Sequence, residues 1–244
     1  MAVVGSNLTS GGATGSITSQ NTASITPSSN NLVLLRVYSR TGTSVEPNAP
    51  TATGNGLTWV QVATIYYDTD SSSRKKITVL RALGASPSSG AVTIDFAGQT
   101  QTDVGWVIDQ FSGVDTSGTN GSGAIVQSAT NKDEVSGGGT LTVTLGAFSS
   151  VNNATYGAFS GDPTNDGTHP TVGSGFTALY AAYNATIGEE GVTEWKSSND
   201  TSVDATMSSS SGAKMGGIAI EINAAVTATV TRLLGGLMMI GMGN

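Results

Sequence analysis

The sequence has no cysteine, a single histidine and few charges. Without cysteine the chain can form no disulfide framework, offer no thiolate nucleophile and build no zinc–thiolate site. Stability must then come from packing and hydrogen bonding. Charged residues make up 11 % of the chain, against ~25 % in ordinary soluble domains. They never recur at helical spacing, so no charged amphipathic helix is expected. Ten Lys and Arg stand against 17 Asp and Glu, for a net charge of −7. That balance excludes the basic field with which nucleic-acid binders displace counterions. The one basic cluster, Arg74, Lys75 and Lys76, reads as a solvated hairpin end. Long apolar runs are missing too. The longest candidate, LLGGLMMIGMG over 233–243, holds 11 residues and several glycines, whereas a membrane-spanning helix needs ~20 apolar residues. No membrane partner is expected. The opening MAVVGSNLTSGGATGS has no Lys or Arg and its apolar run stops after Val4, so no signal peptide is expected.

What the chain does have is Gly, Ser, Thr, Asn and Val in short alternating runs. NLVLLRVYSR (31–40) sets Leu32, Leu34 and Arg36 against Val33, Leu35 and Val37, as a strand buried on both faces would. GLTWVQVATIYYD (56–68), KKITVLRAL (75–83), GAVTIDFAG (90–98) and GWVIDQFSGVD (105–115) continue the pattern. In the second half TLTVTLGAF (140–148), ATYGAFSGD (154–162), GFTALYAAYNA (175–185), GVTEWKSS (191–198), SVDATMSS (202–209) and GGIAIEINA (216–224) do the same. In the last of these Ile218, Ile220 and Ile222 share one face, and Glu221 is expected outside. Short strands separated by turn residues predict an all-β fold, an antiparallel β-sandwich. A repeat links the halves: GLTW (56–59) matches GFTAL (175–179), GAVTIDF (90–96) matches SVDATMS (202–208), and GWVIDQF (105–111) matches GGIAIEI (216–222). Each half offers about five strands, few for a closed sandwich. One sandwich of two pseudo-repeated halves is the first reading and two small tandem domains the second, with TSGTNGSG (116–123) as the linker in either. The expected organisation is a flexible or docking N-terminal segment over 1–21, a sandwich over 22–223 and an apolar C-terminal assembly arm over 224–244.

The order of LVLLRVYSR, GLTWVQVATIYYD, ITVLRALGASPSSGAVTIDF and GWVIDQFSGVD resembles a jelly-roll-like β-sandwich module of tailed-phage virion structural and appendage proteins. The resemblance spans about residues 22 to 223. It implies a phage virion structural protein, such as a capsid decoration or head or tail appendage protein. Its implied partners are itself, as a homo-oligomer, and a major capsid or tail protein. The implied location is the virion, after synthesis in the host cytoplasm. It supplies no catalytic residues and no cofactor.

Candidate sites are few. His169 lies in the loop GDPTNDGTHPT, with no Gly-x-Ser-x-Gly elbow in the chain to pair it with a serine nucleophile. Asp162, Asn165 and Asp166 have the oxygen density of a calcium loop but not its spacing, and turn chemistry explains them equally well. Asp68 and Asp70 make a thinner case. Glu189 and Glu190 stand together in IGEEG with Glu194 nearby; adjacent carboxylates at a turn point apart or into water, unlike the facing pair of a glycosidase. No catalytic residue and no enzyme activity is expected. Trp59 and Trp106 read as core. Trp195, Tyr66 and Tyr67 are the aromatic residues best suited to a host glycan, and a carbohydrate-binding adhesion module for host attachment is the alternative function. AAVTATVTR (224–232) alternates as an extended arm and delivers Leu233, Leu234, Leu237, Met238, Met239, Ile240 and Met242. Such a run is sticky in water, and methionine suits irregular packed contacts. These seven residues are the candidate partner-binding set, in a neighbouring subunit or a partner's groove; a last core strand is the alternative.

Overall fold

The computed structural model describes residues 2–135, 137, 139–161, 167–168, 170–208 and 214–226. All regular structure among them is β-strand. The first half contains β1 (Val4–Ile17), β2 (Ser19–Asn21), β3 (Leu32–Arg40), β4 (Thr51–Gly54), β5 (Leu57–Thr58), β6 (Val60–Tyr67), β7 (Lys75–Ala82), β8 (Thr93–Asp95) and β9 (Gln101–Ser112). The second contains β10 (Ile125–Asp133), β11 (Gly139–Thr144), β12 (Ala154–Gly161), β13 (Thr171–Val172), β14 (Thr177–Asn184), β15 (Glu189–Lys196), β16 (Ser202–Met207) and β17 (Met215–Ile222).

These strands form four antiparallel sheets, ordered β1-β9-β3-β7-β6 and β2-β8-β4-β5 in the first half, β10-β17-β12-β15-β14 and β11-β16-β13 in the second. Substituting β10 for β1, β17 for β9, β12 for β3, β15 for β7 and β14 for β6 turns one large sheet into the other. The small sheets correspond likewise, the second lacking a partner for β5. The orders β1-β9-β3-β7 and β2-β8-β4-β5 are those of a jelly roll, with β6 added at the edge. The repeat read in the sequence is therefore a repeat of topology.

Each half closes its own sandwich, so the reading of one sandwich shared by both halves is corrected. The shortage of strands came from β1, β2, β4, β10 and β13, whose Gly, Ser, Thr and Asn carry little apolar alternation. The segment over 1–21, expected to be flexible or docking, instead contributes two strands to the first sandwich. β1 pairs with β9 from Val4↔Ser112 to Ile17↔Gln101, and β2 pairs with β8. Glycine makes this possible, because a side chain at Gly11 would collide with the Trp106 ring that lies across it.

Three cores stack through the molecule. Val33, Leu35, Val37, Trp59, Leu80, Ile94, Phe96 and Trp106 fill the first sandwich. Leu141, Val143, Phe159, Val192, Val203 and Met207 fill the second. The outer faces of the two large sheets then pack on each other through Leu32, Leu34, Ile77, Val79, Phe111, Tyr156, Ile218, Ile220 and Ile222. This is why β3, β12 and β17 read as nearly continuous apolar runs: both of their faces are covered. Across this seam β1 lies beside β14 and β6 beside β10. Since β14 corresponds to β6 and β10 to β1, the halves meet as a pseudo-twofold pair.

Candidate functional site

The two ends of the stacked sheets differ in chemistry. At one end the chain leaves β9 and β17, and the two exits pair with each other. Val114 bridges Ala224, the Asp115 N–H donates to the Asn223 carbonyl at 2.9 Å, and the Ala225 N–H donates to the Gly113 carbonyl at 2.8 Å. The Ala224 N–H donates to Asn153 Oδ1 at 3.1 Å. Gly113 has φ +71°, and a side chain there would strike the Ala2 carbonyl; the position needs glycine for both reasons. Val3, Val114, Ala124 and Ala224 are buried in the seam core. The arm expected from residue 224 is therefore still anchored at Ala224, and the chain emerges at Val226, which is 88 % exposed. Two hollows flank this exit. One of about 560 Å³ runs between Val151, Asn152, Ser197 and Val226. The other, of about 590 Å³, runs between Val4, Asn30, Asn31 and Thr116. Ala2 and Ala225 line both, and among the described residues neither hollow is lined by a charged side chain.

The opposite end gathers charge. Lys75 pairs with Asp68, Lys214 with Asp70, Lys132 with Glu134 at 2.8 Å, and Lys76 with Glu46 at 2.7 Å. Lys214 also lies 3.4 Å from Asp68 and 3.8 Å from Glu134, tying the two halves together. The solvated hairpin end expected at Arg74, Lys75 and Lys76 is corrected for the two lysines. Both are buried, and their charges are matched by carboxylates.

A second polar network lies inside the seam. Arg36 on β3 forms an ion pair with Glu189 on β15 and donates to the Phe159 carbonyl at 2.9 Å. Ser160 Oγ donates to Glu189 at 2.6 Å and receives the Tyr67 hydroxyl at 2.9 Å. Burial, the largest influence, would lower the pKa of Arg36, but the charge and hydrogen bond of Glu189, with Tyr67 and Tyr180, together outweigh it and hold the guanidinium protonated. Beside it Asp109 accepts from Asn7 Nδ2 at 2.9 Å and from the Tyr156 hydroxyl at 3.2 Å. Burial pushes the Asp109 carboxyl up to about 6, against the opposing pull of these hydrogen bonds and of Arg36. Buried ion pairs return little net stability after desolvation, but they penalise any other register of the two sheets.

The carboxylates of IGEEG do not sit in water. Glu189 and Glu190 do point apart, but both are buried and belong to strand β15 with Glu194, so the turn and the exposure to water are corrected. Alternation sends Glu189 into the seam and Glu190 and Glu194 into the second sandwich. Glu190 accepts from the Ser208 N–H and Glu194 from the Gly173 N–H, each at 2.7 Å. Burial, with Asp204 and Asp200 adding negative charge, raises Glu194 to about 8. Glu221, expected outside, is also buried and accepts from Gln127, Ser149 and Asn153.

Of the aromatic trio, Tyr67 is fully buried. Trp195 packs its ring edge-to-face on Phe111, with centroids 6.3 Å apart, against the seam core. Tyr66 is half-buried, with Arg74 and Lys132 each 5.8 Å from its ring centre. The three do not form a shared exposed platform. Trp59 and Trp106 are core, as expected. Asp68 and Asp70 are engaged by lysines. Leu233, Leu234, Leu237, Met238, Met239, Ile240 and Met242 lie outside the described residues, as do Asp162, Asn165, Asp166 and His169. Among the described residues no group of three Asp, Glu or His could hold a metal ion.

Sequence reasoning missed Arg36 and Asp109 as partners in a seam. Their signal was there: a lone charge in each of two otherwise apolar stretches, LVLLRVY and GWVIDQF. The exit geometry at Asn153, Gly113 and Asn223 left no comparable mark. Comparison of the chain with protein families, curated proteins and solved structures finds no match.

Proposed function

We propose that this chain is a structural protein of a tailed-phage virion, a capsid decoration or head or tail appendage protein, that works by protein–protein assembly through its C-terminal arm. One observation carries the reading. The chain is held in the seam as far as Ala224 and released at Val226, at an end whose hollows are lined by small, polar and valine side chains. The apolar residues 233–243 follow that exit after the six residues TATVTR. A rigid double sandwich with a sticky arm at one end is built to present surface and to knit copies, to each other or to a shell. The virion setting comes from the resemblance of residues 22 to 223 to phage modules.

The test is the solution mass by light scattering of the full chain and of a truncation after Val226, with circular dichroism to confirm folding. A defined oligomer that becomes a folded monomer on truncation supports the proposal. A full chain that is monomeric overturns self-assembly through the arm. Mass spectrometry of purified particles of the encoding phage tests the virion setting.

A further inference from the structure

Four strands bound the two large sheets: β1, β6, β10 and β14. An open edge strand offers a row of unpaired N–H and C=O groups, which proteins normally blunt with charge, proline or shortness. β10 ends on Lys132 and Asp133, and β14 has eight residues. β1, which corresponds to β10, has none of these three protections; its register shifts at Asn7/Thr9 and Thr14/Ile17 leave the stretch from Thr9 to Thr14 regular. The strand is 14 residues long and reads VGSNLTSGGATGSI, with neither charge nor proline. Among the described residues it pairs on one side only, with β9.

The arm begins where β1 begins, since Val4 and Ala225 line the same hollow. Beyond Val226 it reads TATVTR before the apolar run, a β-branched alternation without glycine or proline. At roughly 3.3 Å per residue this piece extends about 20 Å, so it can lie along half of β1. Laid on its own β1 the arm would run parallel to it, because both start from the same end. Among the described residues every strand pair is antiparallel. Only an arm arriving from another copy, whose exit faces the far end of the sheet, can add in the antiparallel sense, the more stable pairing.

We infer that the free edge of β1 is the acceptor for residues Thr227–Arg232 of a second copy of this chain, which add as an antiparallel strand and carry Leu233 onward to the neighbour's surface. The inference rests on the proposed role of the arm in assembly and names its docking place.

The absence of native cysteine makes the test clean. Three variants each place one cysteine at an exposed position of β1: Ser6→Cys, Ser10→Cys or Thr14→Cys. Each is mixed with chains carrying Val230→Cys under mild oxidation, the two chains distinguished by a mass tag. A Ser128→Cys chain, with its cysteine on the corresponding strand β10, is the control. The expected result is a mixed disulfide dimer with at least one β1 variant, at least tenfold above the control. Yields with all three β1 variants no higher than the control overturn the inference. So does a Ser10→Cys/Val230→Cys chain that cross-links only within itself. If cross-linking fails while truncation after Val226 still dissociates the oligomer, the arm assembles copies but docks elsewhere. If the full chain is monomeric, the assembly reading falls and this inference with it.

Discussion

The two sandwiches share a topology and differ at the same cross-strand pair. Val107 pairs with Arg36 and Ile218 with Ala158. Arg36 pairs in turn with Val79, and Ala158 with Thr193. On this register Leu35 and Leu80, a cross-strand pair inside the first sandwich, correspond to Gly157 and Glu194 inside the second. The first core is closed by two leucines. The second accepts a carboxyl because the missing side chain at Gly157 leaves room for it: a Cβ there would lie 2.9 Å from Glu194 Oε1. The same strands open on Lys75 and Lys76 in one half and on Glu189 and Glu190 in the other. One backbone plan therefore tolerates opposite charges at equivalent sites. What it requires is that each be met locally, by Asp68 and Glu46 in the first case and by Arg36 and the Ser208 N–H in the second.

The sharpest way to break this correspondence is to write the second half's residue into the first. Leu80→Glu buries a carboxyl beside Leu35 with neither the room of Gly157 nor the Gly173 N–H. We expect a loss on the order of 5 kcal/mol, measured by urea denaturation at pH 7. A loss below about 1 kcal/mol would show that the glycine is irrelevant. Next in size is the seam. Arg36→Met removes the cation and leaves the Glu189 carboxylate buried without it. The expected cost is about 3–5 kcal/mol. Adding Glu189→Met to the same chain should recover much of it, because no uncompensated charge then remains. A double variant as unstable as the single one would mean that the loss is one of packing, not of charge.

The same pairs explain what could be read in the sequence. Strands with clear apolar rows, alternating in β8 and nearly continuous in β3, β9 and β17, were legible because burial of one or both faces of a pleated surface demands those patterns. β1 was not, since a glycine-rich edge strand leaves room for its neighbour's Trp106 rather than adding an apolar row of its own. The seam was half-legible. Alternation placed Arg36 on the face of Leu32 and Leu34, and Asp109 on the face of Phe111. It could not show that a second sheet would cover that face and bring Glu189 and Tyr156 to meet them. The burial of Glu189 and Glu190 was illegible, because adjacent glutamates next to glycine match a turn as well as they match a strand start. The arm's root at Ala224 depends on hydrogen bonds to Gly113 and Asn153, residues far apart in the chain.

The smallest effect near pH 5, and the finest probe of the difference between the halves, is Glu194→Gln. The amide oxygen can still accept the Gly173 N–H, so little stability should change at pH 5, where the native carboxyl is already neutral. The pH dependence should change instead. Glu194 ionises near 8 in the folded chain, against an ordinary value of 4.5. Between these values the unfolded chain has lost the proton and the folded chain has kept it, so stability falls as pH rises and levels off above about 8. Each pH unit between the two ionisations is worth about 1.4 kcal/mol, so the group accounts for a loss of a few kcal/mol between pH 5 and pH 9. Asp109, raised to about 6 in the seam, contributes a slope of the same sign that ends near pH 6. The two are therefore separable. In Glu194→Gln the decline above pH 6 should flatten while a shallower decline below it, the Asp109 share, remains, and at pH 9 the variant should be more stable than the parent. Equal slopes above pH 6 in the two proteins would place the Glu194 carboxyl in contact with water. The second sandwich would then be open where the first, at Leu80, is closed.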